Sequence, residues 1–268
     1  HLLMLYVALE TVSLCSYLLV GWNPNRARSS EAGLKYVLYG GVASGVMLFG
    51  MSMLYGLFGD LSFAGLHDAL AAGTGMGNAA GSWTAWMAFS FVIVGLGFKV
   101  AAVPFHMWCP DAYEGAPTPF TALLSVGPKA AGFAILMRFF WGIFSEPGSL
   151  SQTLNVDLPW EIILGVLAAL SMTLGNLVAI VQNNLKRMLA YSSIAHAGYV
   201  LMGVVAGGQD GFESVTLYLG IYAVMNLGAF AVVEGVARKT GSENMNAYKG
   251  LGKRSPLLAL LMLVSSSR

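Results

Sequence analysis

Apolar residues fill stretches of about 20 along nearly the whole chain, the length an α-helix needs to cross a bilayer core. Eight such stretches are predicted, at residues 2–20, 34–57, 82–102, 119–144, 161–181, 186–206, 213–236 and from 256 to the end. The connections leave no room for a soluble domain. The longest, 58–81, is rich in Gly and Ala, and its Asp, His and Asn positions are Asp60, His67, Asp68 and Asn78. The pattern implies an all-α polytopic membrane protein, with residues 1–268 forming a single membrane domain. The first apolar run starts directly at His1, and the last stops at Ser265–Ser266–Ser267–Arg268. We therefore expect a fragment cut within its membrane domain at both ends.

Charge is distributed alternately among the connections. The first holds Arg26 and Arg28, the fifth Lys186 and Arg187, and the seventh Arg238, Lys239, Lys249, Lys253 and Arg254. The second, fourth and sixth carry only acidic charge, at Asp60, Asp68, Glu146, Asp157 and Asp210. The third carries His106, Asp111 and Glu114. The positive-inside rule puts the odd-numbered connections on the cytoplasmic side or its equivalent. Single crossings by all eight stretches keep that alternation consistent.

Composition narrows the function classes. Hydrophobic residues make up 56% of the chain and charged residues 10%, against about 25% charged in soluble domains. The 33 glycines suit closely packed membrane helices. A net charge of +1 gives no footprint for nucleic acid. Cys15 and Cys109 belong to no CxxC or Cys/His cluster, which argues against disulfide, zinc and iron–sulfur frameworks. Neither nucleotide-binding glycine motif is present.

The informative residues are charges inside apolar stretches. Glu10 lies mid-stretch, Lys35 opens the second stretch, Lys99 lies in the third and Lys129 in the first third of the fourth. A charge at the bilayer centre costs at least about 2.5–3.5 kcal/mol, so it faces the bundle interior, pairs or titrates. Desolvation favours a neutral amine and a neighbouring carboxylate favours the ammonium. Glu10 beside Lys99 would thus form a tunable pair, passing protons on to Lys129, with the groups titrating as a set. Pro104, five residues after Lys99, predicts a break followed by a short helix, and broken helices are common at transporter ion sites. His196 is a possible relay or a hydrogen-bonded core histidine. Lys35 could instead snorkel beside Glu31, and Arg138 reads as an interface anchor.

Lys99-Val-Ala-Ala-Val-Pro-Phe-His-Met-Trp-Cys-Pro-Asp-Ala-Tyr-Glu-Gly-Ala-Pro-Thr-Pro119 resembles the central signature of the antiporter-like membrane subunits of respiratory complex I, NADH:quinone oxidoreductase. These are related to subunits of Mrp-type cation/proton antiporters and membrane-bound hydrogenases. Tyr113–Pro119, Tyr191–Tyr199 and Gly33–Tyr36 resemble the N-type subunit, subunit 2 in mitochondria and plastids. The resemblance implies an antiporter-like inverted-repeat helix bundle with discontinuous helices, translocating protons. It puts the family's glutamate at Glu10, its broken-helix lysine at Lys99, the next helix's lysine at Lys129 and the intervening lysine at Lys35. A further exit-side lysine would lie in the second broken helix, beyond the last stretch. Flavin, iron–sulfur clusters and quinone would belong to partner subunits, with no cofactor in this chain. The implied partners are other membrane-arm subunits, above all neighbouring antiporter-like ones, together with lipid, protons and internal water. The expected location is a bacterial cytoplasmic membrane, with the mitochondrial inner and thylakoid membranes as alternatives. A faint internal repeat pairs Ala8, Val12 and Tyr17 with Ala190, Ile194 and Tyr199. A Mrp-type antiporter or membrane-hydrogenase subunit and a purely architectural subunit are the rival readings; the charges in the first, third and fourth stretches argue against the last.

Overall fold

The computed structural model describes residues 1–73, 79–145 and 160–266, and all its named elements are helical. Asn78, Glu146 and Asp157 lie outside the described residues. In chain order the helices are α1 (Leu2–Val20), α2 (Ala27–Phe58), α3 (Phe63–Ala71), α4 (Ala79–Val100), α5 (Trp108–Gly115), α6 (Thr118–Phe144), α7 (Trp160–Ile180), α8 (Leu185–Ala206) and α9 (Gly208–Thr240). A 3₁₀ turn (Met245–Tyr248), α10 (Leu251–Arg254) and α11 (Pro256–Ser266) follow. Among the described residues, seven helices are long and apolar enough to cross a membrane, namely α1, α2, α4, α6, α7, α8 and α9. The eighth predicted stretch is α11, described over 11 residues.

Apolarity located the helices but not always their ends. α2 and α9 run 32 and 33 residues, or about 50 Å, well beyond a bilayer core of about 30 Å. Their extra turns carry charge, so an apolar run stops before the helix does. Each closes on a glycine in the left-handed region, Gly59 at φ +72° and Gly241 at φ +68°, where a Cβ would be strained. α3 lies within the long Gly- and Ala-rich connection, 58–81. Ser62 caps it by accepting from Gly65 N–H, and the Ser62 hydroxyl and N–H bond Asp60 and hold its carboxyl below the usual carboxylate range. Its buried residues are Leu66, His67 and Leu70, with His67 Nδ1 3.0 Å from Ile143 O on α6.

The third stretch does break at the proline. α4 stops at Val100, Ala101 takes φ +60°, and α5 starts at Trp108. A residue with a Cβ holds the left-handed region at a cost of roughly 1–3 kcal/mol, so the surroundings must fix it. They do so through Ala102 N–H to Gly97 O (2.9 Å), Val103 N–H to Ser171 Oγ (2.9 Å) and Trp108 Nε1–H to Phe98 O (3.0 Å). Together α4, the break and α5 form one antiparallel partner for α2. Gly50 lies against Ala88 and Phe91, Tyr36 stacks on Trp108 with centroids 4.4 Å apart, and Gly115 packs against Ala32 and the carbonyl of Arg28. The break therefore falls near mid-height of α2.

Odd-numbered connections gather at one end of the bundle. Arg28 meets Glu114 at 3.2 Å, Arg187 meets Glu114 at 3.0 Å, and Lys186 meets Glu243 at 3.3 Å. α1 ends there, where Ser29 Oγ donates to Val20 O (2.9 Å), while α8 begins there. The two helices thus run in opposite directions, as an inverted repeat requires. Two apolar clusters fill the interior. One is aromatic and lies toward the far end, around Phe89, Phe139, Phe140, Phe144 and Trp160. The other packs around Tyr36, Phe98, Trp108, Tyr113 and Phe230 near the break. Large apolar side chains such as Met4, Leu18, Val42 and Ile180 point outward, as a bilayer-facing surface demands.

Candidate functional site

Lys99 occupies the last turn of α4 and is 4% exposed. The break leaves the carbonyl end of α4 at mid-height, and that negative helix end favours a cation beside it. Its Nζ donates to Ser13 Oγ of α1 at 2.9 Å. Glu10 lies three residues before Ser13, so the two are neighbours on one helix face. The Glu10 carboxylate accepts from the Ser44 hydroxyl of α2. The pairing expected from sequence is thus indirect. Glu10 and Lys99 are brought to the same level, but Ser13 holds the amine and Ser44 holds the carboxylate.

Lys129, on α6, is 2% exposed. Pro128 precedes it within the helix, and a proline there removes one backbone donor. Lys129 Nζ donates to Ser193 O of α8 at 3.2 Å and also to the Ser193 hydroxyl. That hydroxyl is 3.3 Å from Tyr113 Oη of α5, whose ring centroid lies 5.9 Å from Lys129 Nζ. α6 also passes the stem of Lys99. A Cβ at Gly132, three residues from Lys129, would lie 3.4 Å from Lys99 Cγ. One helix therefore carries Lys129 and flanks Lys99.

His196 follows Ser193 by three residues on α8, again one turn along. Its Nδ1 lies 2.6 Å from Tyr218 Oη of α9. Tyr199, Tyr222 and Asn176 surround it, with Asn176 Nδ2 donating to Tyr199 Oη (2.9 Å) and Asn226 Nδ2 to Tyr222 Oη (2.9 Å). These side chains line a cavity of about 480 Å³ between α7, α8 and α9. Polar groups therefore recur across six helices, from Glu10 and Ser44 through Ser13–Lys99 and Lys129–Ser193 to His196–Tyr218.

Lys35 stands apart from this series. Its Nζ pairs with Glu31 (2.7 Å) and with Asp111 (2.8 Å) at the charged end, and its side chain is 40% exposed. Arg187 also binds Asp111, closing a network of Arg28, Glu31, Lys35, Asp111, Glu114 and Arg187. Sequence reasoning treated Lys186 as an ordinary connection charge, whereas it is 1% exposed. Its Nζ donates to Ala116 O (2.7 Å), Glu114 O (3.2 Å) and Glu243 Oε1 (3.3 Å). It neutralises the carbonyl end of α5 and ties it to the connection after α9, where Asn184 and Asn244 form an isolated bridge. The one available signal was Asn184 itself, a helix cap that fixes Lys186 in the first turn of α8. No group of three or more metal-ligating side chains forms among the described residues.

The family described as NADH:quinone oxidoreductase/Mrp antiporter, transmembrane, matches residues 1–267. NADH-quinone oxidoreductase subunit N of Anaeromyxobacter sp. (strain Fw109-5) is 54% identical over 98% of this chain and 52% of its own length. A chain of respiratory complex I from Thermus thermophilus superposes with a TM-score of 0.73 at 36% identity, covering 99% of this chain and 53% of that one. A chain of the archaeal membrane-bound sulfane sulfur reductase superposes with a TM-score of 0.82 at 27% identity, over 97% of this chain and 50% of that one. This chain spans about half the length of the curated relatives it matches.

Proposed function

This chain belongs to the NADH:quinone oxidoreductase/Mrp antiporter transmembrane family, and from that premise we propose that it is a proton-translocating part of an N-type membrane subunit of complex I. The observation that carries the reading is two buried lysines near mid-bundle, each bonded to a serine that lies one turn from a second titratable side chain. Lys99 takes a proton from the charged end, and Glu10 biases how firmly the ammonium is held. Lys129 receives the proton next. His196 and Tyr218 extend the line toward α9. Lys35 acts at the charged end, where its bond to Asp111 fixes α5 against α2. The chain performs no redox chemistry of its own in this scheme. Flavin, iron–sulfur clusters and quinone belong to partner subunits, and neighbouring membrane-arm subunits pack on its outer faces. The bacterial relatives point to a bacterial cytoplasmic membrane.

The test is Lys99→Ala in the full-length protein assembled in its complex. Proton-to-electron stoichiometry should fall while assembly and electron transfer persist. A stoichiometry equal to wild type would remove the basis for the scheme. Cation/proton antiport is the second reading, favoured by the family's own breadth. It predicts loss of growth under sodium stress in the same variant.

A further inference from the structure

Tyr17 is 6% exposed, and its buried hydroxyl makes no hydrogen bond within 3.5 Å among the described residues, the Ser13 hydroxyl being the polar side chain beside it. We propose that this hydroxyl is the station through which protons pass from the charged end of the bundle to Lys99, and that Gly40 is retained to make room for it. The proposal rests on the reading of Lys99 as a proton carrier.

Position comes first. Tyr17 follows Ser13 by four residues on α1, so it lies one turn closer to the charged end on the same face. Ser13 Oγ is the group that holds Lys99 Nζ. On its other side the Tyr17 ring meets Tyr36 edge-on, with centroids 4.7 Å apart. Tyr36 adjoins Lys35, whose amine binds Asp111 in the charged network. Moving along α1 away from the charged end, the order is therefore Tyr17, then Ser13 with Lys99 bonded to it.

The layer around Tyr17 is built of aromatic rings, with Tyr36 its other hydroxyl-bearing side chain. Tyr36 stacks on Trp108 at 4.4 Å, and Phe98 lies 5.3 Å from Trp108. The Trp108 N–H is already committed to Phe98 O.

Packing does not account for the hydroxyl. A buried polar group without a close hydrogen bond destabilises a fold. Phenylalanine would supply the same ring contact with Tyr36 and avoid that cost. The facing residue of α2 adds a second cost, because a mid-helix glycine is less favourable than alanine. A Cβ at Gly40 would overlap the Tyr17 hydroxyl and sit 2.7 Å from Cζ. Two unfavourable choices meet at one polar atom, which points to a use for that atom.

A hydroxyl both donates and accepts, so it can relay a proton without keeping it. Tyr17 Oη takes a proton from a water on the charged-end side, which regains one from bulk solvent, and releases its own toward Ser13, directly or through one further water. The Ser13 hydroxyl does the same toward neutral Lys99. One O–H bond breaks at each hydroxyl as another forms, the amine becomes an ammonium, and both hydroxyls end neutral.

The experiment is Tyr17→Phe beside Lys99→Ala, each in the full-length protein within its complex in sealed membrane vesicles. Proton uptake per electron and thermal stability are measured together. Tyr17→Phe should lose proton uptake to the level of Lys99→Ala, with a melting temperature equal to or above wild type. Normal uptake in Tyr17→Phe with loss in Lys99→Ala would overturn the Tyr17 route alone. Normal uptake in Lys99→Ala would overturn the lysine scheme and this proposal with it. A clear drop in the stability of Tyr17→Phe would show the hydroxyl to be structural, against the proposal. Gly40→Ala is the second variant, expected to displace the hydroxyl and lower uptake, and unchanged uptake there would overturn the role given to Gly40.

Discussion

Lys186→Ala should damage the fold more than the loss of any other basic residue at the charged end. Three acceptors depend on its amine, the carbonyls of Glu114 and Ala116 and the Glu243 carboxylate. Hydrogen bonds to a charged group contribute about 1.5–3 kcal/mol each. Removing one member of a buried ion pair costs about 3–5 kcal/mol, because the other charge is left uncompensated. The Glu243 side chain is 19% exposed, so water recovers part of that loss. The carbonyls at the end of α5 are less easily rehydrated, with Ala116 only 1% exposed. A loss of about 3 kcal/mol is the working figure, near a hundredfold in the folded-to-unfolded ratio. The assay is thermal unfolding of the purified full-length protein, alongside its abundance in membranes. Lys239→Ala is the control, since that residue is exposed at the end of α9 and should shift stability by less than about 0.5 kcal/mol. Equal melting temperatures for the two variants would refute the account of Lys186 as the pin between α5 and the connection after α9.

Ser193→Ala removes the hydroxyl shared by Lys129 and Tyr113 but keeps the carbonyl. It should slow proton translocation by about tenfold or more, one charged hydrogen bond's worth, read as proton uptake at saturating electron donor. Trp108→Phe keeps the stack on Tyr36 but removes one of the two hydrogen bonds to Phe98 O at the break, leaving that from Ala101 N–H, with an expected cost of about 0.5–1.5 kcal/mol in thermal unfolding. Gly198→Leu forces side-chain atoms into a gap where a Cβ already comes within 2.7 Å of Ala168 O, so α7 and α8 should separate and folded protein in membranes should fall sharply.

How far the sequence disclosed this arrangement depends on the range of the interactions involved. Spans were legible because an apolar run must match the bilayer, and α1 was placed to the residue at 2–20. The break was legible because Lys99 and Pro104 are local violations of a helical pattern. α3 was not, since nine residues with three buried positions give too little periodicity to separate from a Gly- and Ala-rich connection. Lys186 was misread because its partners Glu114, Ala116 and Glu243 lie 57 to 72 residues away. Nothing adjacent to Lys186 distinguishes it from Arg187, which reaches the same network from a half-buried position. The structure bonds Lys99 to Ser13 and Glu10 to Ser44, where sequence spacing had paired Glu10 with Lys99. Sequence spacing puts Glu10 and Ser13 on one face of α1 without saying which of them the amine will choose.

The partners chosen by the buried lysines separate them by chemistry. Lys186 faces three groups that only accept, two carbonyls and a carboxylate. Satisfying all three takes three N–H bonds, which an ammonium has and a neutral amine lacks. Its surroundings therefore hold it as a fixed cation, suited to pinning a helix end. Lys99 is bonded instead to the Ser13 hydroxyl. The Ser13 hydroxyl accepts from the ammonium while donating to Leu9 O (2.7 Å), and by rotating off that carbonyl it can donate to a neutral amine, so neither state of Lys99 leaves its bond to Ser13 unmade. Lys129 combines the two kinds of partner, the carbonyl and the hydroxyl of Ser193. A neutral amine can still donate to the carbonyl while accepting from the hydroxyl. Burial alone would treat the three lysines alike. The number of obligate acceptors around each amine sets the fixed charge at the charged end apart from the two mid-bundle lysines, whose hydrogen bonds can be kept in either protonation state.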